Sequence, residues 1–296
     1  MIGGMPLVIT IPFDPVFLRL GPISVHWYGV AYALAFAVGM WVCTPFFARR
    51  GISRRDANDI YFWNIVIGLL GARLFFVVQQ PDLVQKYLAH PVQILAVWNG
   101  GMAFFGALAG CFIATLVLTR RRGLPTWTVL DAGAIFATLP RAIGRLGNII
   151  NGDILGPPSN LPWAFRYTSP NTFAPHIGVS YQPANLYELL VSLALFALVV
   201  AVLRARPAPG WTVIIYLAAY AVSQFLIFFT RTTEPVILLG LKQAQVTAVL
   251  VLLVAVPLVV LAKLRWPGPG LPSPVPGGPD RTDGRAQASR ATGAET

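Results

Sequence analysis

Long apolar segments separated by short polar stretches constrain this sequence more than any other feature. They lie approximately at residues 24–47, 60–79, 93–119, 127–145, 186–203, 211–229 and 244–263. A helix needs about 20 residues to cross the hydrocarbon core of a bilayer, and these segments are close to that length. Their apolar residues are nearly continuous rather than periodic, as expected for helices that face lipid and one another. The sequence therefore predicts an all-α membrane protein with seven transmembrane helices.

The composition agrees with a membrane protein and argues against a nucleic-acid-binding protein. Hydrophobic residues make up 56% of the 296 residues and charged residues only 11%, whereas soluble domains carry about 25% charged residues. Lys and Arg number 22 against 11 Asp and Glu. Because the arginines cluster in short loops between apolar segments, membrane topology explains this excess of positive charge. We therefore expect the lipid bilayer as a partner, and no nucleic acid.

The same basic clusters orient the predicted helices. Alternate connections are rich in Arg and Lys, and the connections between them are poor in both. The rich connections carry Arg49, Arg50, Arg54, Arg55, Arg120, Arg121, Arg122, Arg204, Arg206, Lys263 and Arg265. Since basic residues concentrate in cytoplasmic loops, we predict an N-terminus outside and a C-terminus in the cytoplasm. Residues 1–265 would form the membrane domain, and the Pro- and Gly-rich residues 266–296 a disordered cytoplasmic tail.

The connection between the fourth and fifth segments, about residues 146–185, is long and rich in aromatic residues and proline. Long loops at a membrane interface are more often functional than simple linkers. We therefore expect a partly ordered cap on the extracytoplasmic side. No metal site is predicted, because Cys43 and Cys111 lie in apolar segments and the three histidines are widely separated.

Polar residues from distant segments converge on the predicted outer face. The run GRLGNIINGDILG, Gly144 to Gly156, follows the fourth apolar segment. The predicted topology places on the same side Tyr28, the WNGG run from Trp98 to Gly101, Arg141, Arg145, Asn148, Gln182, Asn185, Tyr187, Glu188 and Arg231. Arginine presents a planar fork of donors that suits phosphate oxygens, and glycine permits close approach of the backbone to a ligand. This combination predicts a site for an anionic phospholipid headgroup.

Some of these residues also have ordinary structural explanations. Arg141 can be an interfacial arginine whose charge extends into water. Glu188 lies where a helix begins, and a carboxylate there interacts favourably with the helix dipole. Arg73 lies inside an apolar segment, and an ion pair with Asp131 within the bundle would explain it.

Several motifs in a fixed order resemble those of one bacterial family. The run GRLGNIINGDILG resembles a signature written GRxGNFxNxE with a following glycine. Further support comes from FDPVFLRLGPISVHWYG, GARLFF, WNGGMAFFGALAG, QPANLYELL and FFTRTTEP. Over roughly residues 12–262 the chain resembles the phosphatidylglycerol–prolipoprotein diacylglyceryl transferases, which are enzymes of the bacterial inner membrane.

The resemblance implies transfer of diacylglyceryl from phosphatidylglycerol to the lipobox cysteine thiol of a prolipoprotein. The product is a thioether, glycerol phosphate is released, and the reaction takes place at the outer leaflet. We expect no cofactor. By the same resemblance, Arg145 binds the phosphatidylglycerol headgroup and Arg231 is a second essential arginine. Asn148, Gly156 and Tyr28 match further positions of the family motifs. Arg145, Arg231, Tyr28 and Asn148 are therefore the expected catalytic residues, and Arg145, Arg231, Asn148 and Gly156 the expected lipid-binding residues.

The sequence departs from the family where a proton acceptor is expected. Phe105 stands where the family has a histidine proposed as the base, Gln182 replaces another histidine, and Asp153 replaces the usual Glu. Three explanations remain open. In the first, the arginines lower the pKa of the substrate thiol. In the second, another group, such as Asp153, His26 or Tyr28, accepts the proton. In the third, the chain is a non-catalytic phospholipid- or lipoprotein-binding homologue. A transporter is disfavoured, because the polar groups gather at one face instead of crossing the membrane.

Overall fold

The computed structural model describes residues 8–21, 23–80, 83–96, 101–205, 207–231 and 236–266, and helices dominate it. In chain order they are α1 (Trp27–Arg49), α2 (Arg54–Val78), α3 (Val92–Leu95), α4 (Phe104–Arg122), α5 (Thr126–Asn151), α6 (Ala184–Arg204), α7 (Trp211–Ile227), α8 (Gln243–Leu250) and α9 (Val256–Arg265). A 3₁₀ turn at Phe228–Thr230 follows α7, and a π-helical stretch at Val251–Ala255 joins α8 to α9. Another π-helical stretch, Leu83–Leu88, precedes α3. Except for Trp266, the predicted tail lies outside the described residues.

Five helical stretches within the described residues are long and apolar enough to cross a membrane. They are Trp27–Arg49, Arg54–Val78, Ala184–Arg204, Trp211–Thr230 and Gln243–Arg265. The protein is therefore a helical membrane protein. Helices α4 and α5 occupy the third and fourth predicted segments, but neither belongs to these five, and the count of seven spans stays a prediction.

The third predicted segment begins later than its hydropathy suggests. Helix α4 starts at Phe104, and the chain before it is not helical at Gly101, which has a φ of +83°. Glycine reaches this left-handed conformation at little cost, and it interrupts a helix. The short helix α3 is the only part of the predicted segment before Phe104 that is helical among the described residues.

Helices α2 and α4 approach each other through glycines. A Cβ atom on Gly106 would lie 2.3 Å from the carbonyl oxygen of Gly71, and one on Gly110 would lie 2.4 Å from that of Ile67. These distances leave no room for a side chain at either position. Small residues are used in this way where helices associate in a membrane, since lipid supplies no hydrophobic drive for their contact.

The buried core joins α1, α2, α5, α6 and α7. It contains Cys43, Phe47, Ile52, Ala57, Ile60, Val129, Ala132, Ala134, Ile135, Leu195, Val199 and Tyr216. At the arginine-rich helix ends, Arg122 on α4 forms ion pairs with Asp56 at 2.9 Å and Asp59 at 2.5 Å, both on α2. These ion pairs bring the start of α2 and the end of α4 to the same end of the bundle.

The expected ion pair between Arg73 and Asp131 is wrong, because each group binds backbone instead. Arg73 is only 4% exposed and donates to the carbonyl oxygens of Gln93, Ile94 and Gly101 at 2.7–2.9 Å. The carboxylate of Asp131 accepts the N–H groups of Gly210 at 2.7 Å and Val213 at 2.9 Å. Arg73 therefore holds the segment between α2 and α4, while Asp131 caps the N-terminus of α7 from a neighbouring helix.

The structure is mostly helical rather than all-α, because short strands form outside the bundle. Strand β1 (Ile9–Ile11) pairs in parallel with β4 (Phe165–Tyr167), which pairs antiparallel with β5 (Ser180–Tyr181). Two hairpins consist of β2 (Val16–Leu20) with β3 (Ile23–His26) and β6 (Val236–Leu238) with β7 (Leu241–Lys242). These strands have two to five residues each, and such short strands leave little alternating pattern in a sequence.

The long loop between α5 and α6 folds into an ordered cap with the N-terminal segment. Its apolar cluster contains Ile11, Leu155, Phe165, Tyr167, Ala174 and Tyr181. The Tyr167 hydroxyl donates to the carbonyl oxygen of Ile149 in α5 at 2.9 Å. Burial raises the pKa of Tyr167 to about 12, so this donor stays protonated near neutral pH. The cap is therefore fixed on the end of α5, as the aromatic content of the loop suggested.

Candidate active site

Helix α5 presents three polar side chains on one face and then stops abruptly. Arg141, Arg145 and Asn148 are spaced by four and three residues, so they lie one above another on a helix. The helix ends at Gly152, which has a φ of +81° and donates its N–H to the carbonyl oxygen of Asn148. A Cβ atom on Gly152 would lie 2.2 Å from Thr172 Oγ1 in the cap. The Asn-Gly of the signature is thus a left-handed helix end that lets the cap approach closely.

One buried carboxylate lies at the centre of this polar region. Glu188 on α6 is 1% exposed. Its Oε2 contacts Nη2 of Arg141 at 3.0 Å and also Nη2 of Arg145, and its Oε1 lies 3.6 Å from Nη1 of Arg231. A buried carboxylate is costly unless it is paired with opposite charge. Three guanidinium groups from two parts of the chain supply that pairing, and we call these four residues the arginine–glutamate cluster.

Arg141 is fixed within the bundle, so its explanation as an interfacial arginine is wrong. Besides Glu188, it donates to the hydroxyl of Tyr220 at 2.5 Å and to Gln224 Oε1 at 3.1 Å. Its guanidinium carbon also lies 4.8 Å from the centre of the Tyr220 ring. The sequence reasoning missed Tyr220 and Gln224, although a glutamine within an apolar helix is a signal of an internal polar contact.

A relay of hydrogen bonds through Asn148 connects Arg145 to Asp153, which follows the end of α5. Arg145 Nη1 donates to Asn148 Oδ1 at 3.0 Å, and the amide nitrogen of Asn148 donates to both carboxylate oxygens of Asp153 at 2.9 and 3.1 Å. Burial raises the pKa of Asp153, while its hydrogen bonds with Asn148 and Asn151 and the charge of Arg145 oppose that shift. Within the described part of the chain, Arg145 Nε has no hydrogen-bond partner.

Arg231 reaches the cluster from the turn that follows α7. Its guanidinium carbon lies 4.8 Å from the centre of the Phe228 ring. Lys242 Nζ donates to the carbonyl oxygen of Arg231 and, at 2.7 Å, to that of Phe228. The turn before Arg231 is thereby attached to the first residues of α8 and the β6–β7 hairpin.

Gly156 supports Arg231 from the side of the cap. Its N–H donates to the carbonyl oxygen of Gln182 at 2.8 Å. A Cβ atom on Gly156 would lie 2.6 Å from the carbonyl oxygen of Thr230, the residue before Arg231. Any other side chain would displace that backbone, which explains why glycine stands at this position of the motif.

Two cavities open between the cap and the helix ends, and Phe173 lines both. The first has a volume of about 370 Å³ and is lined in part by Asp153, Gly156, His176 and Arg231. The second has a volume of about 430 Å³ and is lined by Ser24, Val25, His26, Tyr28, Gly29, Asn151 and Phe173. Volumes of 300–1,000 Å³ are usual for sites that hold small ligands.

The residues singled out from the sequence divide between the cluster and its surroundings. Arg145, Asn148, Glu188 and Arg231 are brought together, and Gly156 lies next to Arg231. Tyr28 lines the second cavity, and its ring centre lies 4.5 Å from that of Tyr32. Phe105 lies in the first turn of α4 and is 40% exposed. Of the WNGG run, residues 98–100 lie outside the described residues.

These features define a class: a helical membrane protein with a cluster of arginines, suited to an anionic ligand, beneath a folded cap. The sequence profile of the prolipoprotein diacylglyceryl transferase family matches residues 15–261. The chain belongs to this family.

Several proteins named phosphatidylglycerol–prolipoprotein diacylglyceryl transferase are similar to it. One from Bordetella avium is 39% identical over 77% of this chain and 85% of its own length. One from Methylobacillus flagellatus is 34% identical over 77% of this chain and 87% of its own length. One from Staphylococcus aureus is 30% identical over 86% and 91%. The similarity therefore covers nearly the whole length of each relative.

Proposed function

We propose that this chain transfers the diacylglyceryl group from phosphatidylglycerol to the lipobox cysteine thiol of prolipoproteins, the first step of bacterial lipoprotein maturation. Membership of the family supports this activity. The observation that carries it at the level of residues is the meeting of Arg145 and Arg231 from separate segments. Arg231 also lines a cavity of about 370 Å³, which is large enough for a headgroup. Phosphatidylglycerol and the prolipoprotein signal peptide are the proposed substrates.

The phosphate is the leaving group in this reaction. The thiol sulfur bonds to the glyceryl carbon, the bond from that carbon to the phosphate oxygen breaks, and glycerol phosphate departs with the electron pair. The thiol loses its proton, because the thiolate is the reactive nucleophile. Arg145 and Arg231 are proposed to hold the phosphate and stabilise its growing negative charge. Asn148 and Gly156 are proposed to position these two arginines.

A proton acceptor is available from either cavity. Asp153 lines the first cavity together with Arg231. His26 and Tyr28 line the second, on the other side of Phe173. The described geometry favours none of the three over the others, and the positive charge of the arginines would also favour the thiolate directly.

We further propose the finer topology. The chain has seven spans, an extracytoplasmic N-terminus and a cytoplasmic C-terminus in the bacterial inner membrane, with the active site on the extracytoplasmic side. Residues 1–265 are proposed to form the transferase domain, and residues 266–296 follow it as a separate segment. In support, Arg122 and its partners Asp56 and Asp59 lie at the helix ends opposite those that carry Arg145 and Glu188.

A non-catalytic homologue that binds phospholipid or lipoprotein is the second candidate. Phe105 favours it, because phenylalanine cannot accept a proton at the position of the family histidine. Such a protein would retain the arginine–glutamate cluster and bind phosphatidylglycerol without forming the thioether.

Expression of the chain in bacteria depleted of their own transferase separates these two functions. A reporter prolipoprotein should gain the mass of a diacylglyceryl group when the wild-type chain is present. The Arg145→Ala variant should fail, whereas Arg204→Ala, an exposed arginine at the end of α6, should succeed. If the wild-type chain is inserted, binds phosphatidylglycerol and leaves the reporter unmodified, the transferase assignment is wrong and the binding protein is correct.

A further inference from the structure

Glu188 occupies guanidinium donors that a bound phosphate would use. Its Oε2 contacts Nη2 of both Arg141 and Arg145, and its Oε1 faces Arg231. It is a fully buried side chain, and its carboxylate is held between α5 and the turn after α7. The cluster therefore contains an anion of its own before any lipid arrives.

We propose that Glu188 is a positioning residue that serves as an internal counter-anion, and that it limits the affinity of the arginines for the released glycerol phosphate. It holds the three guanidinium groups together when the site is empty. Its negative charge also lowers the net positive charge of the cluster, so that the phosphate product leaves after each turnover. This inference rests on the proposed transferase function, because that function supplies the product.

The charges of substrate and product explain why such a device is useful. Phosphatidylglycerol carries a phosphodiester with a single negative charge. The product is a phosphate monoester, whose charge near pH 7 is about −1.5 to −2, since its second pKa is about 6. Arginines that stabilise the developing charge therefore also bind the product more tightly than the substrate. A fixed carboxylate opposes the doubly charged product more than the singly charged lipid.

A purely structural role for Glu188 makes the opposite prediction for ligand binding. In that case Glu188 only compensates buried arginines, and its loss leaves their charges unpaired and their positions disturbed. Affinity for every phosphate ligand would then fall. The effect of Glu188→Gln on the affinity for glycerol phosphate thus has a different sign under the two roles.

The experiment measures direct binding of glycerol phosphate to the purified full-length chain in nanodiscs by calorimetry. For Glu188→Gln we expect affinity to rise about tenfold or more, because one unit of opposing charge is removed a few ångströms from the site. Glu188→Asp, which keeps the charge, should stay within about threefold of the wild-type affinity. In a transfer assay, Glu188→Gln should lower kcat while KM for phosphatidylglycerol falls or stays the same.

A second pair of variants restores the charge and covers a failure of Glu188→Gln to fold. Arg141→Gln should bind glycerol phosphate more weakly than the wild type. Adding Glu188→Gln to Arg141→Gln returns the cluster to its original net charge and should strengthen binding again. If Glu188→Gln weakens binding or leaves it unchanged, both alone and in the Arg141→Gln background, the counter-anion role is wrong.

The transferase function and the counter-anion role of Glu188 are tested by different measurements. If the wild-type chain transfers no diacylglyceryl group, the proposed transferase function is wrong, whatever the measured affinity for glycerol phosphate. Transfer by the wild type together with unaltered product binding in the Glu188 variants contradicts only the counter-anion role.

Discussion

The side-chain oxygen of Asn148 accepts a hydrogen bond from Arg145 Nη1 at 3.0 Å. On its other side, the same amide donates to Asp153. An amide matches both neighbours, because it carries an acceptor for the guanidinium and a donor for the carboxylate. Asparagine at this signature position is therefore explained by the two groups that flank it.

Replacing Asn148 by Asp should disrupt this relay at nearly constant size. Two carboxylates would then face each other, and Asp153 would lose the donor that Asn148 supplies. We expect diacylglyceryl transfer to fall by about 10- to 100-fold, as when an oriented electrostatic group is lost. Asn171 offers a matched control, since its amide also donates to an aspartate, Asp14, at 2.8 Å in the cap. Asn171→Asp should transfer normally, and equal losses in both variants would contradict the relay.

Arg145 should be indispensable for transfer but not for membrane insertion. We expect Arg145→Ala to lower transfer by at least about 100-fold, because a donor to the phosphate is lost. Arg145→Lys should rescue poorly, since an ammonium group cannot bind Asn148, Glu188 and phosphate from one planar fork. The measurement is transfer of radiolabelled lipid to a reporter peptide at equal amounts of membrane-inserted protein. Wild-type turnover by Arg145→Ala would contradict the proposed role in headgroup binding.

Gly156 should tolerate no side chain, because the carbonyl oxygen of Thr230 lies so close. In Gly156→Ala the new methyl group must push the turn that carries Arg231, and we expect about a tenfold or greater loss of transfer. Gly133 in α5 is the matched control, since a Cβ atom there meets nothing within 4 Å. Gly133→Ala should insert and transfer as well as the wild type. A fully active Gly156→Ala would show that Arg231 does not depend on this contact.

The sequence predicted the helices and the convergence of polar groups well, because both depend on signals that are local. Apolar length identifies the helices, and charge in alternate loops places Arg145, Glu188 and Arg231 at the same helix ends. Contacts across the bundle left no such signal. Arg73 binds three backbone carbonyl groups, and only the folded chain brings these near it.

The contacts of Glu188 could not be predicted from the sequence either. A carboxylate in the first turn of a helix has an adequate local explanation through the helix dipole. That it contacts three arginines depends on the packing of α5, α6 and the turn after α7. The strands of the cap escaped prediction for a related reason, because β1 pairs with a segment more than 150 residues away.

Phe105 should be replaceable by histidine without loss of the fold. The side chain lies in the first turn of α4 and is partly exposed, and imidazole is smaller than phenyl. We expect Phe105→His to leave transfer intact or to raise it, most clearly between about pH 6.5 and 8, where much of an ordinary imidazole is neutral and accepts a proton more readily than water. The check is the transfer rate between pH 5.5 and 8.5 beside Phe105→Leu. A severe loss with histidine alone would show that the site depends on the phenyl ring.

The proposed topology places the cap and the arginine-rich connections on opposite sides of the membrane. Ile177 in the cap is 55% exposed and follows His176, which lines the cavity of Arg231. Arg121 lies in the last turn of α4, among the basic residues. In a background without Cys43 and Cys111, cysteine at position 177 should react with an impermeant maleimide in spheroplasts.

Cysteine at position 121 should react with the same reagent only after the membrane is opened, because we expect cytoplasmic exposure there. Labelling after detergent addition controls for accessibility at both positions. If position 121 reacts in intact spheroplasts and position 177 does not, the orientation is reversed. The cavity lined by Arg231 would then face the cytoplasm. A prolipoprotein that presents its lipobox cysteine at the outer leaflet could not reach it there.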